Sequence, residues 1–117
     1  MRLTQGMSKD LAQRRKDAKM KEKSVVDVVR WLEETLRQSL LTVDYWEADM
    51  FAIGVTQSHN PDQIVYISAW NRPPGRYSVE LEGEAVAGSN LPYRTLARHE
   101  DVDRDALLRI VRAHLHI

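Results

Sequence analysis

The 117-residue chain has no cysteine, which removes disulfide staples, thiol nucleophiles, iron–sulfur clusters and cysteine-ligated zinc together. Its fold must therefore be held by packing. Phenylalanine occurs once, against three tryptophans and four tyrosines, so most of the aromatic surface carries a polar atom that needs a partner when buried. No stretch approaches the ~20 consecutive apolar residues that span a bilayer, and no apolar run follows the basic N-terminus as in a secretion signal. The expected setting is the cytoplasm, with no membrane contact. Lysine is absent after residue 23, where every later basic residue is arginine.

That last absence exposes a division hidden by the formal net charge of +0. Residues 1–23 carry eight basic and three acidic side chains, a balance of +5, so residues 24–117 carry −5. The expected organisation is a basic, Lys-rich and helix-prone extension over 1–23, followed by one α+β domain over 24–117. At this length a single core is all the chain can bury.

Within 24–117 the apolar periodicity changes twice. Val25, Val29, Leu32, Leu36 and Leu40 recur at helical spacing, and Ser24 with Asp27 has the form of a capping box, so a helix is expected over 24–41. Val28 and Trp31 widen its stripe, whereas Glu33, Glu34, Arg37 and Gln38 fall on its wet side. A linker over 42–48 precedes period-two alternation at Phe51, Ile53 and Val55. Turn residues at 58–63 and at Asn71-Arg72-Pro73-Pro74-Gly75-Arg76 separate strands at 64–70 and 77–82. The stretch 83–91 reads as a loop, Tyr93 to Ala97 as a short fourth strand, and 99–101 as loop. Asp103 then caps a last helix, with Val102 and Leu107 as its hydrophobic staple. The expected fold is an N-terminal helix, a three- or four-stranded antiparallel meander and a C-terminal helix, with both helices on one sheet face.

Two six-residue loops imply a register. Val55 would then face Tyr66 and Ser68 would face Val79, turning Phe51, Ile53, Val55, Ile64, Tyr66, Trp70, Tyr77, Val79 and Leu81 toward the helices. Val65, Ile67, Ala69, Glu80 and Glu82 would lie on the opposite, open face. An apolar strip beside acid suits a protein interface or a dimer. A one-residue bulge would undo this assignment.

No phosphate-loop, dinucleotide, zinc-protease, serine-hydrolase or calcium-loop signature is present. No cofactor or metal is implied. His59, His99, His114 and His116 are scattered, although His99 followed by Glu100 and Asp101 has the composition of a base with an orienting carboxylate. Candidate contact residues are Val65, Ile67, Glu80 and Glu82 on the open face and Tyr45, Trp46 and Glu47 in the linker, where acids meet aromatics. Arg72 and Arg76 beside Trp70 and Tyr77 could stack as a contact loop. The basic extension offers Arg14, Arg15, Lys16 and Lys19 for salt-dependent phosphate contacts, but it lacks the aromatic platforms of single-strand readers.

The layout of helix, meander and helix with an acidic body resembles some small bacterial immunity proteins that neutralise basic toxins. The resemblance is architectural and transfers no functional residue. The expected function is a non-catalytic protein-binding or homo-oligomerising module, with a protein or a second copy as partner. The alternatives are an immunity-type inhibitor, an enzyme lacking a motif, and nucleic-acid binding through residues 1–23.

Overall fold

The computed structural model describes residues 21–43, 49–91 and 93–117. Among these, helix α1 (Lys23–Leu36) is followed by strands β1 (Leu41–Val43), β2 (Ala52–Gln57), β3 (Asn60–Ser68), β4 (Arg76–Gly83) and β5 (Arg94–Asp103), then by helix α2 (Arg104–Leu115). The strands form one antiparallel sheet in chain order. The α+β class therefore stands, with one strand more than the largest number expected. No helix among the described residues is long and apolar enough to cross a membrane.

Helix α1 forms where the pattern places it, but its ends differ. Its N-cap is Glu22, whose carboxylate accepts from the Ser24 N–H at 2.8 Å. Ser24 is thus inside the helix rather than its cap. At the other end Arg37 takes a left-handed conformation with φ 56°, and its N–H donates to the Glu33 carbonyl in place of a further turn. The Leu40 N–H then donates to Glu33 Oε2 at 2.8 Å, and Leu40 enters the core from outside the helix. Glu33, expected to face water, ties down the helix exit.

Helix α2 begins as its sequence predicts. Asp103 accepts from the Ala106 N–H at 2.8 Å, with Val102 half-buried and Leu107 fully buried. Arg104 lies 4.5 Å over the Trp31 ring, joining the two helices at the edge of the core.

The sheet corrects the expected register. In place of a six-residue loop, β2 and β3 are joined by a two-residue turn at Ser58 and His59, with Gln57 opposite Asn60. A bulge follows between Val55 and Gln57. The Thr56 hydroxyl spans this hairpin, donating to the Gln63 carbonyl at 2.6 Å. Val55 consequently lies opposite Val65, and Ile53 opposite Ile67, one residue away from the expected pairs. Across the next hairpin Ile67 faces Val79 and Val65 faces Leu81. Since side chains alternate with period two, this slip turns all of β3 over. Val65 and Ile67 pack in the core with α1 and α2, while Tyr66 and Trp70 leave it.

Both helices bury their stripes on the sheet face carrying Ile53, Val55, Val65, Ile67, Tyr77 and Val79. The turn before β4 keeps its expected chemistry, with Gly75 at φ 81° and the Arg76 N–H donating to the Pro73 carbonyl. Strand β5 is much longer than the expected Tyr93 to Ala97 segment. His99, Glu100 and Asp101 lie within it rather than in a loop. Its pairing with β4 breaks twice, between Tyr77 and Val79 and between Leu81 and Glu82. Asp101, at φ 62° in the first break, is held by Arg76, whose Nε donates to Oδ1 at 2.9 Å and Nη2 to the carbonyl at 2.8 Å.

Candidate groove on the second sheet face

The face away from the helices is built by the other half of the alternation. On β2 and the start of β3 it is closed, with Ala52, Thr56 and Ile64 buried. Toward β4 and β5 it opens into a groove of about 310 Å³ lined by Asp49, Tyr66, Ser68, Trp70, Ser78, Glu80, Arg98 and Glu100. The pairings of Tyr66 with Glu80, Ser68 with Ser78 and Glu80 with Arg98 account for this grouping. Adjacent strands set these side chains beside one another on a single face.

Each side of the groove has its own anchoring. The Tyr66 hydroxyl donates to Asp49 Oδ2 at 2.9 Å, and the Phe51 N–H donates to Asp49 Oδ1 at 3.0 Å. Burial pushes the Tyr66 hydroxyl well above its ordinary range, and its bond to the Asp49 carboxylate and the charge of Glu80 add to this. Tyr66 is therefore a neutral donor throughout the physiological range. Across the groove, Arg98 Nε lies 3.3 Å from Glu80 Oε2. Glu100 makes no ion pair among the described residues.

Trp70 closes one end of the groove and is 64% exposed. Its backbone N–H donates to Ser68 Oγ at 3.1 Å, and its ring meets Phe51 edge-on at 5.1 Å between centroids. With that edge contact the indole keeps most of its surface in water. It also walls a second depression of about 290 Å³ under the proline turn, shared with Glu22, Arg72 and Pro74. Arg72 and Arg76 both approach Asp101 rather than a ring.

Of the sequence-selected contact residues, Glu80 lies in the groove. Val65 and Ile67 are fully buried in the core and cannot form an exposed strip, which corrects their assignment to the open face. Glu82 shares the face of Glu80 but is also fully buried, opposite Ile64 and Thr95. Neither of its carboxylate oxygens has a hydrogen-bond partner at normal geometry. Burial raises its pKa. The nearby Thr95 hydroxyl opposes that shift, Glu80 reinforces it, and Arg98 opposes it from further away.

Tyr45, Trp46 and Glu47, like Arg14, Arg15, Lys16 and Lys19, lie outside the described residues. Sequence reasoning missed Tyr66, Trp70, Arg98 and Glu100 as groove residues. The expected register turns the first two into the core, Glu100 falls in the expected loop, and Arg98 lies just beyond the expected fourth strand, whereas both belong to β5. His59 sits exposed in the β2–β3 turn and His99 is exposed on β5. His114 Nε2 lies 2.8 Å from the Glu82 carbonyl, and His116 caps α2 in a left-handed conformation. None of the four lines the groove. No group of three or more potential metal ligands occurs among the described residues.

Comparison with known proteins adds one partial similarity. A stretch of 63 residues is 30% identical to UDP-glycosyltransferase 82A1 of Arabidopsis thaliana, covering 52% of this chain and 14% of that protein. The chain thus spans about a seventh of the length of that relative. No family model matches, and no solved structure does.

Proposed function

We propose that this chain is a non-catalytic protein-binding module whose contact surface is the groove between Trp70 and Arg98. The supporting observation is the placement of Trp70, a large aromatic ring 64% exposed and packed edge-on against Phe51 in the wall of a concave, charged surface. Exposing an indole in this way forgoes roughly 1.5–3 kcal/mol of burial, and tryptophan is among the residues that most often dominate interface energetics. The groove brings carboxylates, a guanidinium, hydroxyls and an indole together without the histidines, so recognition fits it better than proton transfer does.

The test compares wild-type, Trp70→Ala and Glu34→Gln chains, the last altering an exposed helix acid away from the groove. Sedimentation velocity over a concentration range reads self-association, and capture from source cells reads partners. Loss of association in Trp70→Ala alone supports the reading. Association that survives Trp70→Ala, or that is absent from the wild-type chain in both assays, overturns it.

A further inference from the structure

We propose that the groove recognises an arginine side chain projecting from a partner protein, stacked on Trp70 and neutralised by the groove carboxylates. This rests on the reading of the groove as a protein-binding surface and adds the chemistry of what it receives.

Charge complementarity selects the occupant. Asp49, Glu80 and Glu100 supply three carboxylates and Arg98 one cation, so the groove residues are negative in excess. These carboxylates are not equivalent. Asp49 accepts from Tyr66 and from a backbone N–H, Glu80 is paired with Arg98, and Glu100 is left without an ion pair among the described residues. An anionic partner would meet this excess unfavourably, whereas a cation finds one uncommitted carboxylate and two more within the same groove. The aromatic end narrows the choice further. A planar guanidinium can lie on an indole face and present its N–H edge to carboxylates at once, which the compact, strongly hydrated ammonium of lysine does less well. Groove volume is consistent with a single long side chain and its hydration, about 310 Å³.

The local hydrogen bonds prepare the site before any partner arrives. Tyr66 orients Asp49, Ser68 holds the Trp70 backbone, and Phe51 sets the ring. Arg98 has a defined role in this arrangement. By pairing with Glu80 it keeps that carboxylate in place on β4, and an incoming guanidinium can share Glu80 or engage Glu100 beside it.

The probe is a fluorescein-labelled peptide alternating arginine and glycine, with lysine and glutamate counterparts, read by fluorescence anisotropy on the full chain at 0.15 M salt. The arginine peptide is expected to bind saturably, about tenfold tighter than the lysine peptide, with no binding of the glutamate peptide. Trp70→Ala and Glu100→Gln should each weaken it by about tenfold, while Glu34→Gln leaves it unchanged. Trp70→Phe retains a smaller aromatic platform and should recover part of the loss. Equal affinity for arginine and lysine, equal binding by the groove and Glu34 variants, or no binding of the arginine peptide overturns the proposal. If partner association nevertheless depends on Trp70, the protein-binding reading survives and the arginine assignment alone fails.

Discussion

Among the described residues, Glu82 is the one whose environment departs furthest from its chemistry. A carboxyl with no exposed surface and no hydrogen-bond partner at normal geometry is costly to ionise, and burial together with Glu80 beside it raises that cost more than the nearby Thr95 hydroxyl and Arg98 relieve it. Its pKa is higher in the folded chain than in the unfolded one. The folded state therefore binds the proton more tightly, and the stability this confers is complete below the ordinary glutamate range and lost as pH rises through the folded value. Glu82→Met should remove this loss and raise stability at pH 8 by about 1–3 kcal/mol, measured by urea unfolding across pH 4–8. A wild-type stability that does not decline with pH on this limb, relative to the variant, would contradict it. Asp101 behaves in the opposite sense. Its hydrogen bond to Arg76 holds its pKa below the ordinary aspartate range, so its contribution is present above that range and lost as pH falls. Asp101→Asn should flatten the acid limb without changing the basic one.

At the scale of elements, the β2–β3 hairpin decides which residues are core and which are surface. Ser58 and His59 form a tight turn that sequence alone did not distinguish from a longer loop, because Asn60-Pro61-Asp62 has strong turn composition yet belongs to β3. The apolar alternation could not settle the matter either. Over 64–70, both Ile64, Tyr66 and Trp70 on one side and Val65, Ile67 and Ala69 on the other make credible core faces, so a single bulge chose between them. Helix α2 was legible because its cap and staple are local, and β5 was not, because its charged residues match a solvated loop and are strand only through pairing with β4. The corrected register makes a clear prediction. Ile67→Ala should cost about 2–5 kcal/mol as a core truncation, whereas Glu80→Gln should change stability by no more than about 0.5 kcal/mol. Denaturant melts of the two variants check this; a tolerated Ile67→Ala would restore the discarded register. Asp103→Ala, removing the α2 cap, should cost about 1 kcal/mol by the same measurement.

For the whole molecule, the two sheet faces divide the work. One is spent on a core uniting both helices, and the other leaves fixed polar and aromatic groups exposed near β4 and β5. Glu80 was legible as a contact residue because the acidic alternation in β4 survives any register, whereas Trp70 became visible only once β3 was turned over. Its exposure is the foundation of the proposed binding role. The most direct test is NMR shift mapping on the ¹⁵N-labelled chain, titrated with unlabelled chain and with each protein whose capture depends on Trp70. A groove interface predicts that the largest shifts fall on the Trp70 indole and on the amides of Tyr66, Ser68, Glu80, Arg98 and Glu100. Shifts confined to α1 and α2, with the Trp70 indole unmoved, would contradict it.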